Sequence, residues 1–185
     1  MRSFIAVDVY AVDGISRAQQ EIASSARWSV RDVKPVEAGN FHFTLIFLGE
    51  ISESQAESIK QALSGVRFER SKITYFSVGA FPRPEAAKVI WLGVDPAGAQ
   101  KLGTLASTVV AAVAGLGFRP DKPFSPHLTI FRVKARHPVN VSGFVRKYES
   151  STFGTDVIEK VHLKKSELTP AGPVYSNVYT VEAWR

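Results

Sequence analysis

The stretch Asn40-Phe41-His42-Phe43-Thr44-Leu45-Ile46-Phe47-Leu48-Gly49-Glu50 alternates in character and closes on a glycine. In a β-strand successive side chains point to opposite faces, so this pattern reads as a half-buried strand over about Phe41 to Leu48. Phe41, Phe43, Leu45 and Phe47 share one parity, and a face so wholly apolar belongs in the core. His42, Thr44, Ile46 and Leu48 share the other, which is polar at its start and apolar at its end, as where a strand emerges into a cleft. The device returns 85 residues later in Pro126-His127-Leu128-Thr129-Ile130-Phe131, with His127 and Thr129 on one face and Leu128 and Ile130 on the other. Each His-x-Thr triplet thus sets an imidazole and a hydroxyl side by side, about 7 Å apart along the strand.

Outward from these strands the chain alternates strand and helix. Ser3 to Tyr10 reads as a strand and Asp13 to Arg27 as a helix. After Gly49, Ser52 is an N-cap with Gln55 completing a capping box, and the helix it opens carries Ala56, Ile59 and Leu63 on one face and closes at Gly65. Strands are expected at Lys72 to Val78 and Lys88 to Val94, on either side of the loop Phe81-Pro82-Arg83-Pro84. A helix from Ala97 to Ala114 aligns Leu102, Leu105, Ala106, Val109, Val110 and Val113 and ends at Gly115 and Gly117. A short helix over Val141 to Tyr148 precedes two last strands, Thr155 to Leu168 and Tyr175 to Ala183, with Thr169-Pro170-Ala171-Gly172-Pro173 turning between them. The mixture predicts an α+β fold with largely antiparallel sheets. The spacing of the triplets predicts a single domain over residues 1–185 made of two lobes, a degenerate duplication in which each lobe donates one triplet.

The 185 residues are 45% apolar and 22% charged, ordinary for a soluble globular chain. No apolar run approaches the roughly 20 residues that cross a bilayer. Met1 to Asp8 reads as a first core strand rather than a signal peptide, and the chain has no cysteine, so a cytoplasmic protein is expected. With 23 basic and 17 acidic residues the net charge is +6. That favours polyanionic partners without naming one.

One His-x-Thr alone would read as strand residues whose imidazole bonds to backbone. Two copies in matching surroundings read as a pair facing one small anion. In-line attack on phosphorus needs one group to take a proton and another to give one, and histidine does either near neutral pH. Threonine hydroxyls can donate to non-bridging oxygens whose charge grows toward the transition state. Zinc would want at least three protein ligands, and no carboxylate lies in either triplet, so neither metal nor cofactor is expected. His137, beside Pro138 in a loop, and His162, alternating with Lys160 and Lys164 on what reads as a solvated strand face, are set aside.

These residues resemble the two-histidine phosphoesterase superfamily, and within it the RNA 2′,3′-cyclic phosphodiesterases, also called 2′-5′ RNA ligases. Phe4-Ile5-Ala6-Val7-Asp8 is similar to the family's opening strand, Asn40 to Glu50 to its first motif, and Val89 to Val94 to a middle strand. Pro123 to Ile130 with Arg132 resembles the second motif, and Ser166 to Tyr175 the closing signature. The resemblance implies a bilobal fold, two mostly antiparallel sheets with outer helices around a central cleft. It also implies metal-independent hydrolysis of an RNA or nucleotide 2′,3′-cyclic phosphate to a 2′-phosphomonoester, with 2′-5′ ligation as the reverse direction. By motif position His42 would be the proton donor and His127 the proton acceptor, with Thr44 and Thr129 holding the phosphate. Strict alternation puts Arg132 on the face opposite His127, so its contact with phosphate requires a bulge or the strand's end. Phe81 and Tyr175 are candidates to stack on a base, and a monomer with no membrane partner is expected. Alternatives are a phosphodiesterase for 2′-5′ linkages or small cyclic nucleotides, and a non-catalytic RNA-binding module.

Overall fold

In the computed structural model, which describes residues 1–25, 32–170 and 172–184, the chain runs β1 (Arg2–Asp8), α1 (Val12–Ser25), β2 (Val33–Pro35), β3 (His42–Glu50), α2 (Glu53–Ser64), β4 (Ser71–Phe81), β5 (Val89–Val94), α3 (Pro96–Ala114), β6 (Leu128–Val133), α4 (Ser142–Lys147), β7 (Thr152–Ile158), β8 (Lys160–Thr169) and β9 (Gly172–Glu182). A four-stranded sheet has the order β3-β1-β8-β9 and a five-stranded sheet the order β2-β6-β5-β4-β7. Every pairing is antiparallel. The first triplet lies in the four-stranded sheet and the second at the start of β6 in the five-stranded one, so each sheet supplies one. The sheets are not the two halves of the chain, however. β1 and β3 with β8 and β9 build the first sheet, and β4 to β7 build the second together with β2, which lies between β1 and β3 in the chain.

Local chemistry accounts for the helix boundaries. Gln55 N–H donates to Ser52 Oγ at 3.1 Å while Ser52 N–H donates to Gln55 Oε1 at 2.9 Å, the reciprocal capping of α2. Asp95 caps α3 through Gly98 N–H, with Pro96 in the first turn, where its missing N–H costs nothing. The apolar stripes of α2 and α3 are buried. The two helices pack together, and α3 reaches both β3 and β4, bridging the sheets. Helix α1 lies against β7; its expected extension to Arg27 falls outside the described residues, as does Ala171 of the last turn.

Two expectations need correction. The single strand expected over Thr155 to Leu168 is two strands, and Glu159 is the one residue between them. β7 pairs with β4 and β8 with β1, so the chain changes sheets there with no proline or glycine to mark the step. β2 was not foreseen, since three residues carry no periodicity.

The second correction concerns parity. Thr44 and Ile46 face the adjacent residues Ala6 and Ile5, leaving Leu45 as an extra residue in β3. Thr129 and Phe131 likewise face the adjacent Trp91 and Ile90, leaving Ile130 extra in β6. A bulge of this kind reverses which side chains point inward beyond it. Phe47, expected in the core, is therefore 71% exposed, and Phe131 and Val133 are buried in place of Arg132. The bulge follows the threonine in both triplets. Phe47 and Arg132 occupy the same place relative to His42 and His127.

Candidate active site

Both imidazoles are held the same way. His42 Nδ1 donates to the carbonyl of Asn40 at 2.7 Å, and His127 Nδ1 donates to the carbonyl of Ser125 at 2.7 Å. A carbonyl only accepts, so each ring carries its proton on Nδ1 and leaves Nε2 to exchange one. An aromatic edge steadies each ring as well. Tyr175 stands at 89° to His42 with centroids 5.2 Å apart, and Phe81 at 88° to His127 at 4.9 Å. Phe4 flanks His42 at 5.0 Å and Trp91 flanks His127 at 6.4 Å. Trp91 reaches that position over Gly79, where any Cβ would fall 2.1 Å from the indole ring.

The four-stranded sheet brings His42, Thr44 and Tyr175 to the site, and the five-stranded sheet brings His127, Thr129, Arg132 and Phe81. β3 and β6 touch where the sheets meet. The Arg132 guanidinium acts electrostatically on both histidines, disfavouring their protonated forms. The bulge at Ile130 is what turns Arg132 toward this face. Phe81 and Tyr175 sit half-buried against the imidazoles.

Burial pushes the His42 imidazole down to about 4, with Lys164 and Arg132 adding to the effect and the Asn40 carbonyl and Asp8 opposing it. His127 is lowered too, by burial first and by Arg132, against the pull of the Ser125 carbonyl. Both rings are then neutral at pH 7, each with a bare Nε2. An anion held between them would favour protonating one. Each ring can give or take a proton at Nε2.

Sequence reasoning missed three contributors. Gln19 Nε2, from α1, donates to the Val36 carbonyl at 2.9 Å and to the carbonyl of the bulged Ile130 at 2.7 Å, pinning the bulge from behind. Only the spacing of Gln19 on the buried side of α1 hinted at this. Asp8, half-buried, and Lys164, buried, form an ion pair on the strands beside His42. His162, expected on a solvated face, is 4% exposed, and Lys164 beside it is 6% exposed. A carboxylate on the neighbouring strand makes that burial tolerable, and the sequence of β8 alone does not reveal it. His137 is exposed in the loop after β6. Among the described residues no group of three or more His, Cys, Asp or Glu side chains is placed to hold a metal ion, and no helix there is long and apolar enough to cross a membrane.

Comparison with known proteins identifies the family. The family described as LigT like phosphoesterase matches residues 9–91 and again 92–175, one match around each triplet. An RNA 2′,3′-cyclic phosphodiesterase of Archaeoglobus fulgidus is 43% identical over 182 residues, 98% of this chain and 100% of that protein. A protein of the same name from Aeropyrum pernix is 39% identical, over 82% of this chain and 86% of its own. Among solved structures, Thermus thermophilus TT0787 superimposes with a TM-score of 0.77 at 27% identity, over 98% of this chain and 97% of that one. Escherichia coli LigT complexed with 3′-AMP superimposes with a TM-score of 0.76 at 23% identity, over 100% of this chain and 98% of that one.

Proposed function

Because the chain belongs to the LigT-like phosphoesterase family, we propose that it hydrolyses RNA 2′,3′-cyclic phosphate ends to 2′-phosphomonoesters by acid/base catalysis with two histidines. The observation that carries this reading is the matched pair of imidazoles. Each is clamped at Nδ1 and free at Nε2, and the Arg132 guanidinium opposes protonation of both.

His127 Nε2 takes a proton from water as the water oxygen bonds to phosphorus. His42 takes up a proton at Nε2 beforehand, favoured by the charge of the bound phosphate, and as the bond from phosphorus to the 3′ oxygen breaks it delivers that proton to the leaving oxygen. The phosphate stays on the 2′ oxygen. The donor role of His42 and the acceptor role of His127 rest on motif position. Thr44, Thr129 and Arg132 hold the non-bridging oxygens, where hydrogen bonds and positive charge count most as negative charge builds. The half-buried rings of Tyr175 and Phe81 are candidates for a base to stack on, a contact worth about 1–3 kcal/mol. Replacing water by a ribose hydroxyl and running the steps backwards gives 2′-5′ ligation with the same two groups.

The test is to incubate the protein with a cyclic-phosphate-ended oligonucleotide in chelator and identify which hydroxyl keeps the phosphate. A 2′-phosphate is expected, with metal dispensable. His42→Ala and His127→Ala should each lose at least about 100-fold in kcat while keeping the fold, as for removal of a proton-transfer group. Retained turnover in both single variants would overturn the assignment.

A further inference from the structure

The two imidazoles share one clamp, a carbonyl two residues earlier that accepts from Nδ1, but the chain holds that carbonyl differently in each case. Before His127 stands Pro126, whose ring fixes its own φ and limits Ser125 to extended conformations. The Ser125 carbonyl is thus set by covalent structure. Before His42 stands Phe41, which imposes no such limit. The Asn40 carbonyl is set instead by a short 3-10 turn, Ala38–Asn40, in which Asn40 N–H donates to the Glu37 carbonyl at 2.8 Å and Phe41 N–H to the Ala38 carbonyl at 3.2 Å. None of the three residues of this turn is buried, so it keeps its place only through what it touches.

The Asn40 side chain supplies an anchor from far along the chain. Its Nδ2 donates to the Pro173 carbonyl at 3.2 Å, and Tyr175, in the same strand as Pro173, stands edge-on to His42. The ladders alone do not lead to this contact. Asp8 is the partner of His42 on β1, while the β1–β8 ladder ends with Ser3 opposite Lys165, about 17 Å away along the strand. The β8–β9 ladder continues past that point, through the pair Ser166 and Tyr175 to Thr169 and Gly172. In a flat sheet this ribbon would run away from His42. To set Pro173 against Asn40 and Tyr175 against His42, it has to curl back over the face that carries the imidazole, as strongly twisted two-stranded ribbons can.

Resting on the function proposed above, we propose that Asn40 is a positioning residue for His42: its side chain latches the β8–β9 ribbon to the turn that clamps the ring. Asn40 works from both ends. Its carbonyl holds Nδ1, and its amide holds the ribbon whose Tyr175 packs against the ring. His127 needs no such residue, because Pro126 fixes its clamp and Phe81 reaches it from within the same sheet. Proton transfer requires Nε2 within hydrogen-bond reach of the reacting oxygen, so a ring free to swing costs rate more than binding.

The test reads both rings by NMR of their nitrogens near neutral pH, in the protein without substrate. In Asn40→Ala, His42 should pass from the Nδ1–H tautomer to a mixture and lose its cross-relaxation with Tyr175, while the His127 signals stay as in the parent. On a cyclic-phosphate-ended oligonucleotide kcat should fall about tenfold, with KM held within about twofold. Asn40→Gln, which keeps an amide donor, should recover part of each effect. A purely structural role would lower stability without moving the His42 tautomer. The proposal is overturned if His42 keeps its tautomer and its contact with Tyr175 in Asn40→Ala, if His127 moves as much as His42, or if kcat is unchanged although His42 moves. The NMR reading needs no turnover. Failure of the functional reading would appear separately, as a cyclic phosphate left intact by the parent protein.

Discussion

A half-buried imidazole flanked by Phe4 and Tyr175 resists protonation more than the same group in an unfolded chain. His42 stands at about 4 in the folded protein against an ordinary 6.5. As pH falls the unfolded chain therefore takes up this proton first. The stability associated with neutral His42 is complete above pH 6.5 and drains away as the pH drops toward 4. The full effect is on the order of 2–3 kcal/mol. His42→Asn removes the titration, so its stability should fall less steeply with acid than that of the parent. Urea unfolding at pH 7.5 and pH 4.5 measures this as a difference between the two proteins that shifts in favour of the variant by about 2 kcal/mol. A constant difference would mean that the ring charges without cost where it sits. The same residue that is placed for chemistry is then a liability in acid, which is expected of a group kept dry for catalysis.

At the scale of elements, the bulge in β6 decides on which side of the strand Arg132 falls, and Gln19 holds that bulge from α1. Gln19→Leu leaves the Ile130 carbonyl with the Val36 N–H as its remaining backbone donor and removes the side-chain bond to the Val36 carbonyl. The cost in stability should be about 1–2 kcal/mol. The loss in kcat/KM should be about tenfold, the size of one misplaced charged hydrogen bond at roughly 1.5 kcal/mol. A double-mutant cycle separates positioning from general weakening: if Gln19 acts through Arg132, then Gln19→Leu adds little once Arg132→Ala is present. Additive losses would detach Gln19 from the site. This element also marks where sequence reading ends. The capping box at Ser52, the closure of α2 at Gly65 and the stripe of α3 are local patterns and could be read directly. A bulge belongs to a pairing, and Ile130 becomes the extra residue only against Ile90 and Trp91. For the same reason Phe47 was placed in the core, and the step between sheets at Glu159 passed unseen. The histidines and threonines precede their bulges, so alternation placed them correctly. Lys164 and His162 did not announce their burial, because Asp8 lies more than 150 residues away.

At the scale of the whole molecule, the five-stranded sheet forms one wall of the site and the four-stranded sheet forms the other. The β8–β9 hairpin reaches toward the second wall, where Asn40 Nδ2 donates to the Pro173 carbonyl at 3.2 Å and the Lys34 ammonium lies near Gly172. Lys34 is the register partner of Arg132 across β2 and β6, so two cations stand side by side on neighbouring strands. The net charge of +6 could be read from composition, but setting Lys34 beside Arg132 required the pairing of β2, a strand too short to foresee. A cyclic mononucleotide offers these cations one phosphate and a ten-nucleotide substrate offers several, each shedding counterions on contact. Raising salt from 50 to 200 mM should therefore lower kcat/KM for the ten-nucleotide substrate by about tenfold or more, as expected when a few phosphates are neutralised. For the mononucleotide, which gains only the Arg132 contact, the loss should be a few-fold. Lys34→Ala should flatten the salt dependence for the longer substrate by roughly one unit of logarithmic slope while leaving the mononucleotide's slope in place. Parallel slopes for the two substrates would confine the attraction to the terminal phosphate, and the basic charge of this protein would then serve solubility rather than recognition.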